Sequence, residues 1–505
     1  MIIQGEQVKE KLLEGINLVA NTVKPTLGPQ AKTVILQGNP PVIINDGVTI
    51  TKYISSDDPY VQMGIQLVQN LASKAQDDSG DGTTTACILA QALCNGMSKY
   101  PMKDISTHEF NLILELFKEQ VLAHLNNLSE EITDDRILDV ATIAANNDPK
   151  LGNLIKQALD KVGRDGIITV EESKSHITEL ILRDGMEIPE GYLSHIMCNT
   201  DSGKVVFDNP LVFLSNLSFR NFKDLIPMLE FAASKQQPLV IFCKGMDGSA
   251  LNNMIMNILN KTVECAVVLA PNFGDYQLDE LSDIQSSIGG SVFTQESKDD
   301  AKIFSASDFG SCERIVINKE TTTLIGGEGD TSDRIKTLKD TVSEMKGYDA
   351  ARIKSRIARL KGGIATIRVG ASSSIEMREK KERLDDALNA TKAALSEGIV
   401  VGGGNTLLWI SNNLSEDTPL FLRRALTSPA GALLDNSNMS ASDLDDISNS
   451  ANTLDFGFNA LTGEFASLTE AGVYDPVKVT KSSFLAAMSI AQLFYSTDVA
   501  VLLEE

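Results

Sequence analysis

The sequence is short of cations. Its 505 residues carry 45 Lys and Arg against 68 Asp and Glu, a formal net charge of −23. Neutralising a phosphate backbone or an anionic lipid surface needs basic side chains in excess, which argues against nucleic acid or a membrane surface as the main partner. Metal-ligating residues are scarce too. The four His (His108, His124, His176, His195) form no HExxH, and the six Cys (Cys87, Cys94, Cys198, Cys243, Cys265, Cys312) form no CxxC pair. Neither a zinc site nor a disulfide framework is expected, and a reducing, cytoplasmic compartment fits. Long apolar runs are missing: the most apolar stretch, Phe484 to Tyr495, is interrupted by Ser489 and Gln492 and falls short of the ~18 residues of a membrane span. The first residues, Met1 to Glu6, place no charged region ahead of an apolar one, unlike a signal peptide. No GxxxxGK[ST] occurs, which excludes a Walker-type phosphate loop, and there is no fixed-period repeat or low-complexity tract.

What is present is enough apolar material for a large core. Hydrophobic residues make up 42%, and 36 Gly are added to them, which places the chain in the globular range of about 45–50% apolar. At ~150 residues per domain the length suggests about three domains. Both ends read as helical. Val61, Ile65, Val68, Leu71, Ala72 and Ala75 recur at i, i+3, i+4 spacing and predict a helix over Tyr60 to Asp77. Thr83 to Met97 predicts a second, and Glu376 to Ser396 a long, charged one. Thr33 to Leu36 and Val42 to Ile44 read as a short hairpin, and Val499 to Leu503 as a strand. The middle differs: Pro238 to Phe242, Ala266 to Leu269 and Arg314 to Ile317 are short β-branched runs alternating with helical patterns such as Ala250 to Leu259, an α/β unit distinct from its flanks. Asp184-Gly185 and Gly362-Gly363 bracket it, as hinge ends or as ordinary turns.

Between the first two predicted helices lies Gly80-Asp81-Gly82-Thr83-Thr84-Thr85. Two Gly let the backbone turn tightly against an anion, and a helix N-terminus offers free N–H donors that suit phosphate. A carboxylate in such a loop is consistent with phosphate only if Asp81 holds Mg²⁺; the alternative is a helix cap. Thr26-Leu27-Gly28-Pro29 is a second loop with backbone donors. Asn45-Asp46-Gly47 by itself is a type I′ hairpin signal. Gly402-Gly403-Gly404 follows an apolar strand but does not complete GxGxxG. Asp385-Asp386, mid-helix, reads by default as solvated helix surface, and Asp475-Pro476 as a turn.

Taken in order, TLGP (26–29), NDGV (45–48), GDGTTTA (80–86), LDDALNATKAALSEGIVVGGG (384–404), NALTGEF (459–465) and YDPVKVT (474–480) resemble the group I chaperonins, the family of bacterial GroEL. KVGRDGIITVEE (161–172), APNFGD (270–275), INKETTTLIGG (317–327) and SRIARLKGG (355–363) extend the resemblance over essentially the whole chain. It implies a multidomain α+β chaperonin fold. A mainly helical, discontinuous equatorial domain (1–127 and 398–505) would bind ATP. A small intermediate domain (128–184 and 364–397) would act as a lever, and an inserted α/β apical domain (185–363) would bind unfolded client proteins and a co-chaperonin lid. The chains would form a homo-oligomeric heptameric ring, single or double, through head-to-tail contacts.

The resemblance also assigns residues. Thr26, Leu27, Gly28 and Pro29 would wrap the phosphates. Asp81 would bind Mg²⁺, and Gly82, Thr83, Thr84 and Thr85 would hold the β and γ phosphates of ATP. Gly403, Asn459, Ala460, Leu461 and Asp475 would contact base and ribose. Asp386 would position the attacking water with help from Asp46. Tyr192, Ile196, Met197, Ile226, Leu229, Leu251, Ile255 and Met256 would line an apolar client groove; without the resemblance, Leu251, Ile255 and Met256 read as a helix core stripe. The sequence departs from the family pattern at Asn45, where a Lys is usual, and at Ile196 and Met197, which replace aromatics. The stretch from Gly404 to Asn459 is several residues short, and no Gly-Gly-Met-rich tail follows Glu505. These departures suggest a diverged paralogue or a virus- or phage-encoded copy. The leading reading is an ATP-driven folding machine. The alternative is a degenerate chaperonin that holds proteins with little ATP turnover: Asp81, Asp386 and Thr83 to Thr85 favour the first, Asn45 the second.

Overall fold

Helix-capping side chains and apolar stripes at helical spacing set the element boundaries. The computed structural model describes residues 2–37, 42–44, 46–100, 105–164, 166–173, 175–200, 202–294, 305–344, 348–439 and 453–502. In chain order the helices are α1 (Glu6–Val23), α2 (Gly47–Tyr53), α3 (Pro59–Ser79), α4 (Thr83–Lys99), α5 (Thr107–Leu128), α6 (Asp134–Ala144), α7 (Pro149–Val162), α8 (Ile226–Lys235), α9 (Gly248–Leu259), α10 (Asp275–Ile288), α11 (Ser332–Glu344), α12 (Tyr348–Lys361), α13 (Ser374–Glu397), α14 (Asn405–Asn413), α15 (Leu420–Leu426), α16 (Ser428–Asn436) and α17 (Val477–Ser496). The strands are β1 (Ile2–Gln4), β2 (Val34–Leu36), β3 (Val42–Ile44), β4 (Ile167–Glu172), β5 (Glu179–Ile188), β6 (Val205–Asp208), β7 (Leu211–Ser215), β8 (Ser218–Phe219), β9 (Leu239–Cys243), β10 (Gly245–Met246), β11 (Cys265–Leu269), β12 (Val292–Phe293), β13 (Gly310–Ile317), β14 (Thr322–Gly327), β15 (Gly363–Val369), β16 (Ile399–Val401), β17 (Phe456–Asn459), β18 (Glu464–Ser467), β19 (Tyr474–Pro476) and β20 (Val499–Val501).

The chain divides into two compact units. The first comprises Met1–Gln157, Val170–Thr178 and Val369–Glu505; the second comprises Ala158–Thr169 and Glu179–Arg368. The first is helical, as its sequence pattern predicts. α3 starts where Asp58 accepts a 2.9 Å bond from Tyr60 N with Pro59 in the first turn, and ends at Gly80 in the left-handed region. α5 opens on a Ser106–Glu109 capping box. Its buried face, Phe110, Leu114, Phe117, Val121 and Leu125, joins α1, α3, α4 and α17 in one apolar core. β1 and β20 pair antiparallel, bringing the two chain ends together. β2 and β3 form the expected hairpin; its connecting residues, like Asn45 and Leu503, lie outside the described residues.

The second unit is built on a sheet of order β11-β9-β7-β13-β14-β5-β15-β4. β7, β9 and β11 are mutually parallel. β7 and β9 are buried along their whole length, which is why they read as unbroken apolar runs rather than alternating ones. β13, β14, β5 and β15 continue antiparallel. Gly185 is not a turn: it lies inside β5 opposite Ile325, while Gly363 opens β15 opposite Asp184. Three helices are tied by charge. Arg356 of α12, 2% exposed, donates from Nε to Asp283 of α10 at 2.6 Å, Arg334 of α11 reaches the same carboxylate at 2.7 Å, and Arg359 pairs with Glu280 at 2.7 Å. All six cysteines are free. Among the described residues no helix is long and apolar enough to cross a membrane.

Candidate nucleotide site

The first unit holds a cleft of about 600 Å³. Every residue expected to touch ATP or its attacking water lines it: Thr26 to Pro29, Asp46, Asp81 to Thr85, Asp386, Gly403, Asn459, Ala460, Leu461 and Asp475. These come from both ends of the sequence, and local structure explains how each is presented.

The Gly80-Asp81-Gly82 turn connects α3 to α4. Gly80 and Gly82 have φ of +69° and +84°, conformations that favour glycine. A side chain would not fit either: a Cβ on Gly82 would lie 2.4 Å from Ser483 Oγ, and one on Gly80 2.4 Å from Asn389 Cβ. No side chain caps α4, so the capping alternative for Asp81 and the threonines does not hold, and the first N–H groups of the helix remain available. Asp81 instead accepts from Gly82 N at 2.5 Å. The Thr26–Pro29 loop follows a single turn of 3₁₀ helix, Lys24–Thr26. Asn436 pins it by donating to Lys24 O at 3.0 Å and Leu27 O at 2.9 Å, a positioning role with no local sequence signal.

Asp46 corrects the hairpin reading of Asn45-Asp46-Gly47. It is the N-cap of α2, accepting from Val48 N at 3.3 Å and Thr49 N at 2.7 Å. An Asx-Gly pair serves a turn and a helix start equally well; the β-branched run Val48 to Thr51 does not favour a helix by propensity, and the Asp46 cap together with burial of Val48, Ile50 and Thr51 decides. Gly47 is needed for proximity rather than for φ, since a Cβ there would lie 2.7 Å from Thr84 Oγ1 and 2.9 Å from Thr83 Oγ1. On the far side, β16 pairs with β19 so that Val400 stands opposite Asp475. Gly403 turns the chain at φ +68° into α14, and Asn459 Oδ1 holds the β17–β18 turn by accepting from Leu461 N at 3.0 Å.

The electrostatics are one-sided. Burial pushes the Asp81 carboxyl up to about 6, and Asp46 adds to the rise. Burial, then Asp81, pushes Asp475 up to about 7. Asp386, on α13, is held well above the usual carboxylate range by burial and then by the charges of Asp81, Asp46, Asp385 and Glu382. It is not solvated helix surface. Glu382, four residues earlier on the same helix face, is pushed up to about 7 by burial and Asp46. It was not singled out in the sequence, although its spacing from Asp386 carried the signal. Also missed were Asp139, Thr142, Asn146 and Asn147 of the α6 region, which line the same cleft. Asn146 and Asn147 both have positive φ, +58° and +59°, where Asn is among the few side chains tolerated. Among the described residues no three His, Cys, Asp or Glu converge to hold a metal by themselves.

The residues expected in the client groove lie in the second unit and split by burial. Ile196 and Met256 are exposed, 44% and 54%; Tyr192, Ile226, Leu251 and Ile255 are half-buried. Met197 and Leu229 are corrections. At 2% and 7% exposed they belong to the apolar core, and Met197 Sδ accepts from Val267 N at 3.3 Å. A thioether turned inward to a strand N–H cannot also present itself to a client. Leu259, 57% exposed at the end of α9, extends the surface instead.

A sequence profile of the TCP-1/cpn60 chaperonin family matches residues 19–503. The chain belongs to that family and shares its ATP-dependent chaperonin activity; its motif order makes it a diverged group I, GroEL-like member. Two crystal structures share its fold, both of the chaperonin gp146 from bacteriophage EL 2 (Pseudomonas aeruginosa) in the presence of ATP-BeFx. Crystal form II matches with a TM-score of 0.72 at 19% identity, covering 100% of both chains. Crystal form I matches with a TM-score of 0.66 at 20% identity, covering 100% of this chain and 99% of the other.

Proposed function

We propose that the cleft binds Mg·ATP, that Asp386 positions the water that attacks it, and that the resulting cycle drives capture and release of unfolded proteins. One observation carries this reading: residues scattered from Thr26 to Asp475 line one acid-rich cleft, in which Arg383 is the one Lys or Arg among the described residues. The uncapped start of α4 and the Thr26–Pro29 loop would bind phosphate oxygens through backbone N–H groups. Asp81 would hold the metal, whose contribution is to neutralise phosphate charge. Asn459, Ala460 and Asp475 would meet base and ribose. Phosphoryl transfer asks mainly for positioning and charge neutralisation, so one well-placed carboxylate is enough protein chemistry. Asp46 has both carboxylate oxygens engaged with the α2 backbone, so its part in orienting water would be through its charge.

We extend the proposal to the family's organisation: equatorial 1–127 with 398–505, intermediate 128–184 with 364–397, apical 185–363, assembled as a ring that takes a GroES-like lid. Ile196, Ile255, Met256 and Leu259 supply exposed or half-exposed apolar contact in the second unit, and flexible Met suits partners without fixed sequence. The test is Mg-dependent phosphate release by the purified chain, with and without a co-chaperonin, alongside capture of a urea-unfolded client. Hydrolysis stimulated or slowed by the lid supports the machine. Nucleotide binding and client capture without hydrolysis would replace it with a protein that only holds.

A further inference from the structure

We propose that Arg383 supplies the protein cation that binds the γ-phosphate of the nucleotide. The inference rests on the nucleotide reading of the cleft and concerns how its charge is balanced. Asp46, Asp81, Glu382, Asp386 and Asp475 all line the cleft, and among the described residues none is within ion-pair distance of a Lys or Arg. A nucleoside triphosphate adds several negative charges to this. One Mg²⁺ returns two positive charges, which does not offset the triphosphate's own charge even before any ionised cleft acid is counted. Arg383 is the one Lys or Arg among the described residues lining the cleft.

Its guanidinium is also underused. Arginine offers five N–H donors. Arg383 donates through Nη2 to Glu379, one turn earlier on α13, while its Nε is buried with no hydrogen-bond partner among the described residues. A buried, unpaired donor on a charged group is costly unless something completes it. An anion in the cleft would do so. Arg383 stands three residues before Asp386 on α13, a spacing that puts both side chains on neighbouring positions of one helix face. The helix therefore delivers the acid that positions water and a cation for the departing phosphate together. Arginine suits the task, since its planar fork matches two phosphate oxygens at once.

The experiment uses the full chain in its native assembly, with ATP and ADP affinities measured by calorimetry in the presence of Mg²⁺. Losing a charge-assisted hydrogen bond should weaken ATP binding by Arg383→Gln about ten- to a hundredfold. ADP, which lacks the γ-phosphate, should bind within about threefold of wild type, by the same reasoning. Arg383→Lys keeps the charge and should lose less ATP affinity than Arg383→Gln. Glu379→Gln removes the helix pair but leaves the guanidinium, and should bind ATP at least as well as wild type. Equal weakening of ATP and ADP by Arg383→Gln, or a Glu379→Gln loss as large as that of Arg383→Gln, would overturn the proposal: the arginine would then matter only for its pair along the helix. If Arg383→Gln does not fold, the contrast between Arg383→Lys and Glu379→Gln decides alone. Wild type that binds neither nucleotide would overturn the cleft reading and this inference together; wild type that binds both isolates the inference.

Discussion

Asp475→Asn should make the nucleotide-free protein more stable at alkaline pH and not at acidic pH. Asp475 lies on β19 against β16, inside the cleft, and burial lifts its carboxyl from 3.8 to about 7. The folded chain therefore holds that proton more tightly than the unfolded one. The stability this confers is complete below about pH 4 and is lost as the pH rises through about 7. A lift of about three units corresponds to about 4 kcal/mol, the most that ionising Asp475 can cost the empty fold. An amide carries no such penalty. The variant should gain up to that amount over wild type at pH 8 and nothing near pH 4. Urea denaturation at fixed protein concentration, followed by the fluorescence of Trp409, measures it. Trp409 is the single tryptophan and packs against the core of the first unit, so its transition midpoint reports on the unit that holds the cleft. If Asp475→Asn is destabilised by the same amount at both pH values, the carboxyl is acting through hydrogen bonds and the desolvation argument is wrong.

Three further substitutions separate the parts of the site. Asp386→Ala should bind ATP within a few-fold of wild type and lose about 10²–10⁴ in turnover, the usual range for a proton-handling group; unchanged turnover in a single-round assay would remove Asp386 from the chemistry. Gly82→Ala puts a side chain at φ +84° and within 2.4 Å of Ser483 Oγ, so it should lower the thermal midpoint by a cost of about 1–3 kcal/mol and weaken ATP binding. Ile255→Glu should cut capture of an unfolded client while phosphate release stays within about twofold. The contrast is Leu229→Ser, which should unfold the second unit at a cost of about 2–5 kcal/mol because Leu229 is core.

The phosphate-facing half of the cleft was legible in the sequence because its signals are local. Gly-Asp-Gly between two amphipathic patterns announces both helix ends, and the three threonines mark what the second helix presents. The wall contributed by α6 was not legible. Nothing in Asp139, Thr142 or Asn147 distinguishes them from any helix end, and only the packing of distant segments brings them to the cleft. Asp46 shows a different limit: Asn-Asp-Gly fits a hairpin and a capped helix alike, the β-branched run after it does not favour a helix, and burial of Val48 and Ile50 in the fold makes the choice. Met197 and Leu229 show a third. An apolar residue at the right spacing is placed on a face, but the sequence does not say whether another element covers that face. In the second unit, β9 and β11 were recognisable as strands of an α/β unit because burial leaves little polar alternation in their apolar runs, whereas β7, equally buried, was not singled out.

The two acid clusters of this protein are physically unlike, and the difference points to where the ligand belongs. Asp279, Glu280 and Asp283 of α10 meet Arg334, Arg356 and Arg359, with Asp283 and Arg356 1% and 2% exposed at the side chain. Those charges are matched within the fold, and removing one partner would strand the other, so the cluster fixes α10 against α11 and α12. Among the described residues Asp46, Asp81, Glu382, Asp386 and Asp475 make no such ion pairs, although Arg383 lines the same cleft. Burial lifts the carboxyls of Asp81, Asp386, Asp475 and Glu382, and neighbouring acids add to it: Asp46 on Asp81 and Glu382, Asp81 on Asp475, and Asp81 and Asp46 on Asp386. A fold that merely needed stability would have no use for four such groups, since each is costly to bury charged and would be cheaper as an amide. They make sense where a bound cation and its phosphates complete the charge balance. On that argument Mg·ATP should stabilise the fold by completing the charge balance of the cleft. Stabilisation by Mg·ATP should then grow as the pH rises from 6 to 8, opposite in sign to the pH dependence of the empty chain.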